Sequence, residues 1–255
     1  MARQQVFEGL AAAGIVAHIV AQRLPETLML ALTCHFLASL IGISLGIVAA
    51  TQQYRWTDTV LSAVAFLGTT IPRFLAAIII LYILVFRLSA VEVGSFFSVE
   101  YGGAPWSIAK FMDLVRHVWP VVAIATFGGL AYNMRVVRGN LLDTLNMQYV
   151  ETARAKGLSE SGAVLRHALP NALHPLVMYQ GVVLPYMLTG EIETAIIFAL
   201  PTVGPAIVQS MAVGDVNVTA TFMLILAATL MVGNIIADVM LALLDPRVRL
   251  QTAIA

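Results

Sequence analysis

The chain has 255 residues, 60% of them hydrophobic and 11% charged, with 14 basic and 14 acidic side chains and so no formal net charge; its mean hydropathy is +0.89. A soluble domain needs a polar exterior that this composition cannot supply, so lipid must solvate much of the chain, and neutrality removes the basic footprint of a nucleic-acid binder. The single cysteine, Cys34, excludes an internal disulfide and, inside an apolar run, reads as a small packing residue.

In chain order, Val6–Ala21 is weakly apolar and carries Glu8 and His18, which suggests an amphipathic interfacial helix within an external segment 1–27. No basic stretch precedes a clean apolar core, so no cleavable export signal is expected. A bilayer span needs about 20 mostly apolar residues. Five stretches qualify as transmembrane helices: Leu28–Ala50, Thr59–Phe86 with Pro72 and Arg73 inside it, the shorter His117–Met134, Pro175–Leu200 interrupted by Pro185, Glu191 and Glu193, and Val216–Leu244 with Asp238 near its end. The fold expected is therefore an all-α transmembrane bundle over 28–244, with polar breaks at 51–58, 87–116, 135–174 and 201–215 and a tail at 245–255.

The longest basic break lies between two apolar segments. Leu141, Leu142, Leu145, Val150 and Ala153 recur at three-to-four spacing, which predicts a helix with one apolar face over Asn140–Lys156. Arg154 and Lys156 suit the negative end of that helix, Gly157 can end it with a positive φ, Ser159 can cap the next with Glu160 in its first turn, and Pro170 and Pro175 mark the return to the membrane. The expected product is a knuckle of two short helices. Within it, Tyr149-Val150-Glu151-Thr152-Ala153-Arg154-Ala155-Lys156-Gly157-Leu158-Ser159 and Leu169-Pro170 resemble the cytoplasmic signature loop of ABC importer permeases, in the form seen in the peptide and nickel branch. Glu151, Ala153 and Gly157 fall on the Glu-Ala-Ala-x-x-x-Gly pattern; Thr152 and His167 depart from it.

Other stretches carry the same resemblance. Arg23-Leu24-Pro25-Glu26-Thr27-Leu28 is similar to the approach to the family's second helix, Ile71-Pro72 to its third, and Leu244-Asp245-Pro246-Arg247 to its C-terminus. Phe198-Ala199-Leu200-Pro201-Thr202-Val203-Gly204-Pro205 keeps only part of the usual external motif. The resemblance covers about residues 20–250. It implies a six-helix family core from just before its second helix onward, without the first.

Orientation follows from basic residues. Arg55, Arg135, Arg138, Arg154, Lys156, Arg166, Arg247 and Arg249 fall on one side, and Arg3, Arg23, Arg87, Lys110 and Arg116 on the other. The knuckle and C-terminus are thus expected in the cytoplasm and, with an odd number of spans, the N-terminus outside. The resemblance implies a multi-pass protein of the inner membrane and half of a translocation path for peptides or similar small solutes. A second permease subunit would complete the path, two ABC ATPase subunits would dock under the knuckles, and an extracytoplasmic binding protein would deliver the solute. No phosphate-binding glycine loop is present, so no cofactor is expected and ATP would be bound by the partners. Glu151, Ala153, Arg154, Lys156, Gly157, Leu158, Ser159 and Pro170 are the coupling candidates.

Charges within spans are costly and point to function, so Pro72, Arg73, Glu191 and Glu193 are candidates for the translocation path. An ion-coupled carrier built on Arg73 and Glu191 is one alternative, although it gives the knuckle no purpose. Gly42-Ile43-Ser44-Leu45-Gly46 matches a nucleophile pattern and raises an intramembrane serine hydrolase. It sits mid-span without an evident His or acid partner, and Gly42 and Gly46 read better as a small-residue helix contact. The five histidines show no paired metal-ligand spacing.

Overall fold

The computed structural model describes residues 2–89, 94–189 and 191–244, and among them all regular secondary structure is helical, without a strand. The helices are α1 (Ala2–Thr51), α2 (Trp56–Thr70), α3 (Arg73–Tyr82), α4 (Ile108–Leu145), α5 (Gln148–Ala155), α6 (Glu160–Ala163), α7 (Leu169–Thr189), α8 (Ile192–Ile197), α9 (Val203–Val213) and α10 (Val216–Leu244). Gly14–Thr51, Ile108–Leu145 and Val216–Leu243 are each long and apolar enough to cross a membrane, and α2 with Arg73–Arg87, which is α3 and the π turn that continues it, makes a fourth span if the pair is counted as one. Helix α7 has 21 residues, enough at ~1.5 Å per residue to cover a ~30 Å hydrocarbon core.

Several expected boundaries shift. No boundary separates 1–27 from the first span, because α1 runs unbroken from Ala2 with Pro25 inside it. Lipid offers no water to the carbonyls that a broken helix would free, so helix is kept where propensity alone would end it. The third span is not short: α4 extends through 38 residues, past His117 in one direction and past Met134 in the other. The expected span Thr59–Phe86 is broken at Ile71–Pro72, and Pro175–Leu200 is divided into α7 and the short α8. The tail 245–255, with Asp245, Arg247 and Arg249, lies outside the described residues.

The chain forms two compact units. One holds α1 up to Cys34, Ile71–Ala125 and Pro185–Ala228; the other holds His35–Thr70, Thr126–Leu184 and α10 from Thr229. In the first, Leu30, Cys34, Ala77, Phe96, Leu114, Val121 and Phe198 share a core, and Val16, Val203, Ile207 and Phe222 join α1, α9 and α10. Thr27 is buried, and its hydroxyl accepts from the Val203 backbone N–H at 2.9 Å, so α1 caps the start of α9. Loop residue Ser98 donates its N–H and its hydroxyl to Asp113 at 2.8 and 2.6 Å.

In the second unit, α4 packs against α1 and α2 through small residues. A Cβ at Gly42 would stand 2.8 Å from Asn133 Cβ, one at Gly46 2.8 Å from Val137 Cβ, and one at Gly68 2.7 Å from Ala131 Cβ. Glycine is required at these three close approaches, as the small-residue spacing of 42 and 46 predicts. A second cluster joins the ends of α1 and α4 to the knuckle: Ala50, Leu141, Val150, Ala163, Val164, Ala168 and Ala172, with Ile47, Leu142 and Leu145 against them.

Candidate functional site

The knuckle is built from short-range chemistry. The helix expected over Asn140–Lys156 is interrupted at Asn146–Met147, so the apolar positions fall on two helices, the end of α4 and α5. Val150 and Leu141 are completely buried, and each fully buried aliphatic side chain contributes about 1.5–3 kcal/mol. Helix α5 ends as Gly157 predicts. Its φ is +88°, Leu158 N–H donates to the Ala153 carbonyl at 3.2 Å, and Gly157 N–H donates to the Arg154 carbonyl at 2.9 Å. These are the paired bonds of a left-handed glycine stop. Ser159 then caps α6, its hydroxyl accepting from Gly162 N–H at 3.3 Å, and Glu160 occupies the first turn.

Arg154 closes the elbow. Its guanidinium grips Glu160 with two bonds of 2.9 and 2.6 Å and donates to the Leu145 carbonyl at 3.3 Å. One side chain therefore ties α4, α5 and α6. The hydrogen-bonded Arg154 guanidinium holds the Glu160 carboxyl below the usual glutamate range. Asn171 adds a tie by donating to the Tyr149 hydroxyl at 3.0 Å. Pro170 does not mark a break: α6 runs through a wider π turn, Val164–Ala168, directly into α7. That turn precedes a residue with no N–H to give and a ring that crowds the carbonyl four residues back.

The eight coupling candidates divide by burial. Glu151, Lys156, Gly157 and Ser159 are exposed, Arg154, Leu158 and Pro170 are half-buried, and Ala153 is buried in the floor. Ala153 is therefore a packing residue. Sequence reasoning missed Glu160 as the partner of Arg154, and Tyr149 with Asn171; the six-residue gap across a glycine stop was the available signal for the first.

The path candidates meet at the break in the second span. Pro72, with extended backbone, precedes α3, and no side chain caps that helix. Arg73 in the first turn of α3 pairs with Glu191 at 2.5 Å, and Glu191 stands immediately before α8. Thr194 donates to the other Glu191 oxygen at 3.4 Å. Glu193 is exposed, and no ion pair of it is found among the described residues. The structure thus brings Pro72, Arg73 and Glu191 together, with Glu193 exposed in the first turn of α8 beside them. Ser44 donates its hydroxyl to the Leu40 carbonyl of its own helix at 2.7 Å, the ordinary habit of a serine inside a helix.

Comparison with known proteins fits this geometry. Residues 42–250 match the family described as binding-protein-dependent transport system inner membrane component. The chain belongs to that family. It is 33% identical over 234 residues to the oligopeptide transport system permease protein AppB of Bacillus subtilis, covering 91% of this chain and 72% of the relative. It is 31% identical over 234 residues to a putative peptide permease protein of Brucella ovis, covering 92% and 72%. A probable peptide ABC transporter permease protein of Sinorhizobium fredii is 28% identical over the same length, with the same coverage. The chain is thus the multi-pass permease subunit of an ABC importer, a family that works with ATPase and binding-protein partners, and it is not an enzyme. Membership sets aside both the hydrolase on Ser44 and the ion-coupled carrier.

Proposed function

We propose that the chain forms half of the translocation path of an inner-membrane importer for peptides or similar small solutes. A second permease chain completes the path, two ATPase subunits dock against the knuckles from the cytoplasm, and an extracytoplasmic protein delivers the solute. The observation that carries this reading is the knuckle itself. Its apolar floor is fused to the ends of α1 and α4, while Glu151, Thr152, Lys156, Gly157 and Ser159 remain exposed. A body of that kind can seat in a groove of a soluble partner and carry its motion to the membrane helices. Pro72, Arg73, Glu191 and Glu193 are assigned to the path. Support comes from the pairing of Arg73 with Glu191 where α3 and α8 begin, in otherwise apolar segments. The peptide assignment follows the names of the relatives.

Gly157→Val tests the reading. A side chain at φ +88° is strained, although no atom stands within 4 Å of the new Cβ, so the cost is backbone strain of ~1 kcal/mol or more plus a bulge on the docking face. The variant should insert and accumulate but lose solute uptake and substrate-stimulated ATP hydrolysis in proteoliposomes holding the full complex. Glu151→Ala should weaken docking less, since one surface ion pair contributes ~0–1 kcal/mol, and Lys156→Ala less again. Normal uptake by an intact Gly157→Val complex would remove the coupling role from the knuckle. Labelling of Ser159→Cys from outside intact cells, in a Cys34→Ala background, would overturn the orientation.

A further inference from the structure

The second unit holds an ion pair that the knuckle does not need for its own shape. Asp58, in the first turn of α2, is 4% exposed. Its two oxygens accept four hydrogen bonds: Arg138 Nε at 2.6 Å and Ser62 Oγ at 3.2 Å on one, Arg138 Nη2 at 2.8 Å and Tyr54 N–H at 3.1 Å on the other. The Tyr54 bond holds the linker between α1 and α2 in a turn where Tyr54 has φ +64°. Thr57, in the first turn of α2, donates to the Gln52 side chain of the same linker at 2.6 Å, and Arg55 N–H donates to the Gln52 carbonyl at 3.0 Å. Asp58 thus fastens the linker, α2 and α4 at one point.

That point adjoins the knuckle floor. Arg138 lies on α4 one turn before Leu141 and Leu142, which pack with Ala50 and Ile47 of α1 against Val150 of α5 and Val164 and Ala168 of the π turn. Further along α2, its buried contacts with α4 are apolar and small, Ala65 with Ala131 and Met134 and Gly68 against Ala131, and the polar contact there is a single exposed bond, Arg135 donating to the Thr69 hydroxyl at 2.5 Å. Contacts of this kind hold helices close, but in lipid they lack a direction that fixes rotation or sliding. A two-point arginine–carboxylate grip fixes both. Helix α2 therefore owes its proximity to small residues and its register chiefly to the buried two-point grip on Asp58, since the Arg135–Thr69 contact is a single bond open to solvent.

We infer that the Arg138–Asp58 pair is the joint through which a displacement of α5 and α6 is transmitted to α2. Both are positioning residues; neither is exposed for docking. The inference rests on the coupling role proposed for the knuckle and extends it to a named route. Rigid motion enters at α5, passes the apolar floor into α4, and turns into motion of α2 at Arg138.

The experiment uses the complete transporter in nanodiscs, with the Cys34→Ala chain carrying an environment-sensitive thiol label either at Thr152→Cys on α5 or at Leu67→Cys on α2. Both positions are exposed. Fluorescence is read before and after trapping with magnesium ATP and vanadate. Both labels should respond when the pair is intact. In Arg138→Gln and in Asp58→Asn the α5 response should persist while the α2 response falls about tenfold, the factor set by one charge-assisted bond. The double variant should fall no further, and Arg138→Lys, which keeps the charge but not the two-point grip, should lie between. A merely structural fastening would lower the yield or thermal stability of the complex and leave the two labels in step. An α2 response that keeps pace with α5 in these variants overturns the inference, and so does failure of all of them, Arg138→Lys included, to assemble. Silence of the α5 label with the pair intact would instead overturn the coupling reading on which the inference stands.

Discussion

Two interruptions of helix, at Gly157 and at Ile71–Pro72, are made in opposite ways. At Gly157 every device is within reach of a few residues: the left-handed glycine, the two backbone bonds that close α5, the Ser159 cap, and Arg154 holding Glu160 six residues on. At Ile71–Pro72 the chain supplies only a proline and an uncapped helix start. The stabilising partner, Glu191, comes from 118 residues away. A local stop is formed wherever its sequence is placed and stays formed while its surroundings move. A break fastened by a distant ion pair depends on where another segment stands. The first suits a part that transmits force as a rigid body, and the second suits a part that changes shape on a transport path.

The break at Ile71–Pro72 is the more easily disturbed of the two. Glu191→Gln leaves the Arg73 charge without its carboxylate. Removing one partner of a wholly buried pair costs ~3–5 kcal/mol, and with Arg73 31% exposed about 2 kcal/mol is expected. Hydrogen exchange at the first turn of α3, where Leu75 and Ala76 N–H donate to the Pro72 carbonyl, should speed up about thirtyfold. Exchange in the knuckle should not change. Arg73→Gln should act alike, and the double variant should cost less than the two singles together. Equal acceleration in the knuckle would show that the two interruptions are not independent.

The knuckle should yield only to local changes, and by less. Gly157→Ala places a Cβ at φ +88° with no atom near it, so the cost is backbone alone, about 1–2 kcal/mol. It should appear as faster exchange across α5 and α6 with α3 untouched. Ser159→Ala removes one cap bond of 3.3 Å at a cost of about 0.5–1 kcal/mol, confined to α6. If either substitution loosens α3 as much as α6, the knuckle is not self-contained.

The same division explains what the sequence could disclose. Gly157, Ser159 and the apolar spacing of Leu141, Val150 and Ala153 are read directly, because each acts on neighbours three to five residues away. Gly42 and Gly46 are legible for the same reason, as one face of one helix. Arg73 and Glu191 stand out individually as charges in apolar segments, but nothing in the order of residues pairs them. Asp58 and Arg138 were hidden more fully: Asp58 lies at a span end, where a charge is ordinary, and Arg138 counts only as one more basic residue near the knuckle. The weak apolarity of Val6–Ala21 misled in the other direction: it set a boundary before Leu28, whereas α1 continues through that stretch and through Pro25, because a helix in lipid has no other partner for its backbone.

The smallest effect tests the most exposed tie of the knuckle. Glu160 is 66% exposed and Arg154 35%, so their pair is screened by solvent and contributes ~0–1 kcal/mol. The hydrogen-bonded Arg154 lowers the pKa of Glu160, so the folded knuckle keeps this carboxylate charged at a pH where the opened one takes up a proton. The contribution is therefore full above the ordinary glutamate pKa and is lost as pH falls through the lowered one. From pH 7 to 5 the protection of α6, corrected for intrinsic exchange, should be flat; below about pH 4 it should decline slightly. Glu160→Gln should abolish the decline, and molar salt should blunt the contribution at neutral pH. A large loss of α6 protection on acidification would mean that Arg154 and Glu160 hold the elbow together. A slight one leaves that task to Gly157 and to the apolar floor beneath Val150.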